Sequence, residues 1–249
     1  MIKRMLHIGL IVSGAVLAIL TLSFSSERLS KVSCDELTVV IPDDSPRFMD
    51  EAELSRLVKQ ADPKLFEKKL DELNTHLLEE KMMKVPAIKN VEVYRHISGD
   101  RMDFKGHLIV EVMQRKPLLR VLEGQTDYYM DEAGVVIPAN PKFTAHVMLI
   151  TGKADEKFVR RQLIPMIAYI QQDDFWRVQI KQINVDASGE LAIVPLVGDQ
   201  LIDFGEAAHY REKLRNLKAL YDQAFSRWGW DKYKKISLKY KDQVVCTRR

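Results

Sequence analysis

Histidines and paired carboxylates are the side chains of this sequence most suited to chemistry, because they bind metal ions and transfer protons. The six histidines occur singly along the chain: His7, His76, His96, His107, His146 and His209. None has a second histidine three or four residues away, the spacing that places two metal ligands on one face of a helix. We therefore interpret the histidines as surface or core residues, and we predict no metal ion and no other cofactor.

Adjacent acidic residues occur four times, and two carboxylates are what general acid and base catalysis would require. The pairs are Asp43-Asp44, Glu79-Glu80, Asp131-Glu132 and Asp173-Asp174. Neighbours in sequence point in different directions on a helix or a strand, so turn and helix-surface roles explain all four pairs. The sequence also lacks the motifs GxSxG, HExxH, GxxxxGK[ST] and SxxK. The chain is therefore not predicted to be an enzyme, although a site assembled only in space stays open.

The distribution of charge argues against a nucleic-acid-binding protein. The 249 residues include 38 Lys and Arg against 35 Asp and Glu, and the excess lies within residues 1–31. The remainder is neutral overall, whereas proteins that bind nucleic acid usually concentrate basic residues on one face. The two cysteines, Cys34 and Cys246, could pair in an oxidising compartment or remain free thiols. Nucleic acid is therefore not an expected partner, and the state of the cysteines stays open.

An apolar segment near the N-terminus runs from Leu6 to Phe24 without a formal charge over its 19 residues. As a helix it would be about 28 Å long, close to the roughly 30 Å hydrocarbon core of a bilayer, so we predict a membrane anchor. A cleaved signal peptide is the alternative, but its apolar part usually has only about 7–15 residues. Basic residues flank both ends of the segment, so charge hardly indicates its orientation. We expect the longer part, after Phe24, to lie across the membrane.

The region after a polar stretch at residues 25–36 has the patterns of a small α+β domain. The patterns predict strand 37–41, helices 50–58 and 66–77, and strands 91–94 and 108–113. In the second helix, Phe66, Leu70, Leu73 and Leu77 recur at helical spacing. A three-stranded sheet with both helices on one face would bury their apolar stripes.

From residue 117 onward, strand and turn patterns outnumber helix patterns. Strands are predicted at 128–130, 147–150, 183–185, 191–194, 201–204 and 236–240, and helices at 158–170 and 210–225. Pro165 makes the first of these helices doubtful or kinked. The aromatic cluster Trp228, Trp230 and Tyr233 is either a partner-binding hot spot or a plug in the core. The fold class is therefore α+β, with two domains after the anchor.

Four stretches of the sequence together resemble one family of bacterial cell-division proteins. They are LLEEKMMKVPAIKNVEVY (residues 77–94), LIVEVMQRKPLLRV (108–121), YYMDEAGVVIP (128–138) and KYKKISLKYKDQVVC (232–246). In this order and spacing they are similar to the FtsQ/DivIB family, in which a POTRA domain precedes a C-terminal β domain. The resemblance implies a cytoplasmic tail (1–5), a transmembrane helix (6–24), a stalk (25–36), a POTRA-like domain (37–116) and a C-terminal β domain (117–249). The tail is shorter than usual, and residues 96–106 are predicted to form a longer loop than in the family.

The resemblance also implies a function. Members of the family are non-enzymatic scaffolds of the divisome in the inner membrane, with the N-terminus cytoplasmic and the bulk periplasmic, concentrated at the division septum. FtsB and FtsL are the implied partners, with FtsK, FtsW and FtsI as further candidates. In the family the FtsB contact lies near the last strands, which match residues 234–245 here. The candidate partner-binding residues are Tyr233, Ile236, Ser237, Leu238, Lys239, Tyr240 and Gln243.

Strand addition is the predicted mode of binding. We predict that strand 236–240 lies at a sheet edge, where its unpaired backbone groups accept a strand of the partner, with Ser237 and Lys239 on the exposed face. Two other functions stay open. A POTRA-bearing transport or envelope-biogenesis factor would use the same small sheet to bind a client, and a membrane-anchored hydrolase would need a polar cleft.

Overall fold

The computed structural model describes residues 12–17, 32–100, 103–225, 229 and 232–249. The chain divides into two compact units, with the boundary between Gln114 and Arg115. The ends of the predicted anchor, Leu6 and Phe24, lie outside the described residues, as do Trp228 and Trp230, and residues 12–17 are helical. Within the part of the chain that the structure describes, no helix has both the length and the apolar character of a membrane span.

Over residues 32–100 and 103–114, the first unit contains three strands and two α-helices in the predicted order. They are β1 (Cys34–Val40), α1 (Glu51–Ala61), α2 (Thr75–Met82), β2 (Ile88–Asp100) and β3 (Asp103–Gln114). The sheet order is β1-β3-β2, with β1 parallel and β2 antiparallel to β3. Leu54 of α1, Met82 of α2 and Val110 of β3 belong to one buried cluster. Both helices therefore cover one face of the sheet, as their apolar stripes require.

The two helices start at residues that satisfy free backbone N–H groups. Asp50 accepts a hydrogen bond from the Glu53 N–H at 2.7 Å, and the Glu53 carboxylate accepts one from the Asp50 N–H, which forms a capping box. Asn74 accepts a hydrogen bond from the Leu77 N–H at the start of α2. These caps fix the beginning of each helix, and the apolar residues that follow then face the sheet.

The prediction of one helix over residues 66–77 is wrong. Two 3-10 turns, Leu65–Glu67 and Leu70–Glu72, precede α2 instead. Between these turns the chain pairs with the start of β1, because the Cys34 N–H donates to the Lys68 carbonyl and the Leu70 N–H donates to the Val32 carbonyl. Those long-range hydrogen bonds replace helical ones, so tertiary pairing overrides the local helical spacing.

The predicted loop over residues 96–106 is also wrong. β2 continues to Asp100 and β3 starts at Asp103, so the two strands form one long hairpin. Ser98 pairs with Lys105, and His96 pairs with His107. The hairpin extends beyond Gly106, the residue opposite Cys34 at the start of β1.

Gln114 joins the end of β3 to the segment that leads into α1. Its side chain is buried, with its Oε1 accepting from the Met49 N–H at 2.9 Å and its Nε2 donating to the Met49 carbonyl at 2.8 Å. The Gln114 N–H also donates to the Ser45 Oγ at 2.8 Å. A single buried amide therefore satisfies both backbone groups of Met49.

Replacing Gln114 with alanine is expected to lower the free energy of unfolding of the first unit by about 2–4 kcal/mol, because two backbone groups of Met49 lose their partner. Amide hydrogen exchange along β3 measures this loss without interference from the second unit. Gln60→Ala, at an exposed position of α1, is the matched control and should change exchange little. Equal protection of β3 in both variants would contradict the structural role of Gln114.

The second unit is a long mixed sheet with helices. Its strands are β4 (Pro117–Glu123), β5 (Thr126–Asp131), β6 (Val136–Pro138), β7 (Met148–Gly152), β8 (Ile180–Val185), β9 (Leu191–Pro195), β10 (Leu201–Gly205), β11 (Tyr233–Ser237) and β12 (Val245–Arg248). Over the described residues the sheet order is β12-β11-β10-β9-β8-β7-β4-β5-β6. The sheet therefore has β12 at one edge and β6 at the other.

In the described part of the unit, three α-helices of six or more residues accompany this sheet: α3 (Ile164–Gln172), α4 (Asp174–Gln179) and α5 (Tyr210–Leu220). A helical turn at Glu156–Phe158 and a π-helical segment at Val159–Leu163 lead into α3. Pro165 lies where the π-helical segment passes into α3, next to Ile164, whose N–H bonds to the Val159 carbonyl five residues back. The helical prediction for this region is therefore confirmed, and the proline lies beside a local change in the helical hydrogen-bond pattern.

The core of the second unit lies between the sheet and the helices. Ile167 of α3, Leu217 of α5, and Ile193 and Phe204 of the sheet all belong to one buried cluster. Phe175, Trp176 and Tyr221 contact one another edge to face, with ring centroids 4.8–5.8 Å apart. These contacts fix α4 against the end of α5.

Candidate functional site

The two edges of the sheet in the second unit differ in what they offer to a partner. β6 has three residues and ends at Pro138, whose nitrogen carries no hydrogen to donate. β12 has four residues, of which Val245, Thr247 and Arg248 are exposed. An exposed edge presents backbone groups that can pair with another chain. β12 is therefore the better candidate of the two for a docking edge.

The hydrogen-bond directions in β12 follow from its pairing with β11. The strands are antiparallel, with Val245 opposite Ser237 and Thr247 opposite Lys235. The Arg249 N–H donates to the Lys232 carbonyl at 3.2 Å, so it points toward β11. Because N–H directions alternate along a strand, the N–H groups of Cys246 and Arg248 point away from β11. These two residues carry the backbone donors of the open edge.

The prediction that strand 236–240 forms the sheet edge is wrong. β11 ends at Ser237 and lies between β10, to which it is parallel, and β12, to which it is antiparallel. Four of the seven candidate partner residues are buried in β11 or directly after it: Tyr233, Ile236, Ser237 and Leu238, with at most 9% of each exposed. The alternation predicts that Ser237 lies on an exposed face, but the structure buries it.

The other three candidates, Lys239, Tyr240 and Gln243, are exposed and lie in the turn that connects β11 to β12. Tyr240 is 59% exposed, which makes it the most prominent large side chain of this turn. Asp242 has a φ of 57°, a left-handed conformation that aspartate tolerates better than most residues. These three side chains therefore lie in the turn next to β12, the candidate docking edge. The four buried residues lie in or directly after β11, the neighbouring strand.

An ionic network holds this turn against the sheet. The Asp203 carboxylate on β10 lies 3.0 Å from the Lys235 Nζ and 3.2 Å from the Lys239 Nζ. The Lys239 Nζ also lies 2.5 Å from the Glu190 carboxylate, and the Leu238 N–H donates to the Asp203 carbonyl. Burial tends to raise the pKa of Asp203, but the hydrogen bonds and charges of Lys235 and Lys239 outweigh it and lower that pKa. The ionised carboxylate therefore stabilises the start of the turn.

This lowered pKa predicts an acid-sensitive contribution to stability. A carboxyl group with a lower pKa in the folded state stabilises the fold fully above its unfolded pKa of about 3.9, and the contribution is lost as pH falls below that value. We expect Asp203→Asn to lower the free energy of unfolding at pH 7 and to reduce the further loss on acidification to pH 3. Urea unfolding at both pH values provides the measurement.

Asp222→Asn is the control for this prediction, because Asp222 pairs with Lys218 on the exposed surface of the helical region around α5. Exposed ion pairs contribute little to stability, so the change should be small at both pH values. An Asp203→Asn protein with the wild-type dependence on pH would show that the network contributes nothing.

A cleft of about 460 Å³ lies beside the turn, between residues 238–243 and the first turns of α5. Its charged lining residues are Glu190, Glu206, Glu212, Lys213, Lys239, Lys241 and Asp242. Lys213 donates to the carbonyls of Phe204 and Glu206, and burial lowers its pKa. The mixed charges and the neighbouring Tyr240 suit contacts with a polar protein segment.

Nowhere in the described residues do three or more histidine, cysteine, aspartate or glutamate side chains form a group that could hold a metal ion.

What sequence reasoning missed is β12 itself. The sequence VVCTRR has no alternation of apolar and polar residues, although in the structure Val244 and Cys246 are partly buried and Val245 and Thr247 are exposed. The β-branched residues Val244, Val245 and Thr247 after the turn were the one available signal for a strand.

Comparison with known families agrees with this architecture. The model described as a POTRA-like domain matches residues 32–100, and the model described as FtsQ/DivIB, C-terminal related, matches residues 116–247, which is more than half of the chain. A POTRA-like domain followed by this second domain defines a class of bacterial cell-division proteins. The chain belongs to the FtsQ/DivIB family, and the resemblance inferred from its sequence is confirmed. No curated protein matches the chain.

Proposed function

We propose that this protein is a non-enzymatic scaffold of the bacterial divisome that links early and late division proteins during septum formation. In this proposal residues 6–24 anchor it in the inner membrane, residues 1–5 are cytoplasmic, and residues 37–116 and 117–249 form its two periplasmic domains. Membership of the FtsQ/DivIB family supports the role in division. The open edge strand supports a role that depends on binding.

FtsB is the proposed partner at β12, with FtsL bound in the same complex. A segment of FtsB pairs with the outward N–H and C=O groups of Cys246 and Arg248, while Tyr240 and Gln243 contact its side chains. Backbone hydrogen bonds supply affinity in this mode of recognition, and neighbouring side chains supply specificity. The single observation that carries the proposal is that, among the residues that the structure describes, β12 pairs with β11 on one side and with no strand on the other.

The edges of the small sheet in the first unit are less suitable for strand addition. The Val93 N–H on β2 already donates to the Glu79 Oε1 at 2.9 Å, so a side chain occupies this edge. The start of β1 pairs with residues 68–70 through the Cys34 N–H and the Val32 carbonyl. These contacts cover edge positions that an added strand would need, and they favour β12 as the docking edge.

The cellular test combines depletion with localisation of a fluorescently tagged copy. The proposal predicts filamentation on depletion and concentration of the tagged protein at midcell. Normal division on depletion, with a uniform signal around the envelope, would overturn the scaffold role and favour a factor for envelope biogenesis.

A binding experiment tests the proposed contact directly. The full chain in detergent is mixed with the purified periplasmic segment of FtsB, and amide hydrogen exchange is followed along the second unit. The proposal predicts slower exchange at Cys246 and Arg248, whose N–H groups would gain partners, and little change at Thr247, which already pairs with β11. Protection confined to other strands would contradict the docking edge.

A further inference from the structure

Three side chains with the chemistry of a nucleophile, a base and an orienting acid meet on the small sheet of the first unit. Ser98 lies on β2, His107 on β3 and Glu36 on β1. In the strand register His107 is opposite Glu36. Leu108, the neighbour of His107, is fully buried in the core beneath the helices. Because side chains alternate along a strand, His107 lies on the face that α1 and α2 do not cover.

Hydrogen bonds link the three side chains in series. The Ser98 Oγ lies 2.5 Å from the His107 Nε2, and the His107 Nδ1 lies 3.1 Å from the Glu36 Oε2. An ionised carboxylate can only accept a hydrogen bond, so the Nδ1 carries the proton. In the neutral imidazole the Nε2 is then the acceptor for the Ser98 hydroxyl. This is the order of contacts found in serine nucleophiles that a histidine activates.

The surroundings allow a small substrate to approach. The His107 side chain is 18% exposed and Glu36 is 62% exposed. A cleft of about 430 Å³ is lined by Asp35, Glu36, Asp103, Phe104, Lys105 and His107, so it adjoins the base and the acid, and the half-buried Ser98 is reached through its contact with His107. Lys105 is opposite Ser98 in the hairpin register, is exposed, and lines the same cleft as His107. Positive charge at this place can offset the negative charge of a tetrahedral intermediate.

We propose that Ser98 is a nucleophile that accepts an acyl group from activated esters, with His107 as its general base and Glu36 as the positioning residue. The Ser98 Oγ forms a bond to the carbonyl carbon while its proton passes to the His107 Nε2. Collapse of the tetrahedral intermediate breaks the bond to the leaving alkoxide or phenoxide, which takes the proton from His107. The products are acyl-Ser98 and the free alcohol or phenol. The reaction is a single acylation of the protein itself, without turnover of a substrate, so it goes beyond the non-enzymatic scaffold role without contradicting it, and it involves only the first unit.

The test uses p-nitrophenyl acetate with the full chain in detergent. Acetylation is located by peptide mass spectrometry, and release of p-nitrophenol is followed by absorbance. Ser188 is an internal control, because its Oγ donates to the Asp186 carboxylate at 2.7 Å and its described partner is an acid without an imidazole. A general base accelerates reactions by about 10²–10⁴-fold, so Ser98 should be acetylated about a hundredfold faster than Ser188.

Variants separate the proposed roles. His107→Gln should reduce the rate at Ser98 to that of Ser188, and Ser98→Ala should remove the label. Glu36→Gln changes an exposed residue, so it should leave folding intact while slowing acetylation of Ser98. Glu36→Asp keeps a carboxylate at this position, so it should restore part of the rate that Glu36→Gln loses.

Two results would overturn the proposal. One is acetylation of Ser98 no faster than that of Ser188 in the wild-type chain. The other is a folded Glu36→Gln protein that acetylates Ser98 at the wild-type rate. Neither result bears on binding at β12, so failure here remains distinct from failure of the scaffold proposal.

Discussion

Arg248→Pro is expected to weaken capture of the periplasmic segment of FtsB by about tenfold or more. Proline removes the outward N–H of residue 248, and its ring occupies the space where an added strand would approach. A hydrogen bond contributes about 0.5–1.5 kcal/mol, and 1.4 kcal/mol corresponds to a tenfold change in affinity. Thr247 and Arg249, on either side of residue 248, make the backbone hydrogen bonds to β11, so the fold of the second unit should persist. Calorimetric titration of the full chain measures the change in affinity.

Arg248→Ala is the matched control, because it removes the same side chain and keeps the backbone N–H. If backbone pairing is responsible, the alanine variant should bind FtsB nearly as well as the wild type. Equal losses in both variants would instead assign the effect to the arginine side chain. Wild-type affinity in a folded Arg248→Pro protein would refute strand addition at β12.

The elements of the first unit could be predicted from sequence wherever burial and hydrogen bonding are local. Residues 91–94 and 108–113 alternate because one face of the hairpin is buried, and the structure has strands there. The prediction of one helix over residues 66–77 was wrong because it assumed one buried apolar stripe. Phe66 and Leu77, the two ends of that stripe, are each 44% exposed. Their apolar character gave the helical spacing, but the hydrogen bonds of residues 68–70 go to another part of the chain.

At the candidate site, too, a local pattern did not reveal which segments pair. Alternation at residues 236–240 correctly indicated a strand nearby, but it gave no information on whether another strand pairs with the outer side of that strand. That depends on β12, a four-residue strand that follows β11 after a short turn and pairs with it, and the alternation within residues 236–240 contains no information on that pairing. The series Ser98, His107 and Glu36 was likewise not predictable, since it requires the register of three strands. Patterns along a chain predict which face is buried, whereas edges and clusters depend on which strands become neighbours.

Ile236→Ala and Tyr240→Ala are expected to have opposite effects, although the sequence pattern placed both residues on the same strand. Ile236 is fully buried on β11 and belongs to the core of the second unit. Truncation of a buried isoleucine to alanine costs about 2–5 kcal/mol, because it loses apolar contacts and leaves a cavity. We therefore expect a large fall in the free energy of unfolding, measured by urea denaturation, and weaker FtsB binding only as a consequence of unfolding.

Tyr240 should behave in the reverse way, since its side chain is mostly exposed in the turn before β12. Exposed substitutions usually change stability by no more than about 0.5 kcal/mol, whereas an aromatic residue at the centre of an interface can contribute 2 kcal/mol or more to binding. Tyr240→Ala should therefore leave the urea midpoint unchanged and weaken FtsB capture by about tenfold or more. Tyr94→Ala, at another exposed tyrosine in the first unit, should change neither quantity. If Tyr240→Ala binds FtsB as the wild type does, the turn is not part of the contact and only the backbone of β12 remains as its basis.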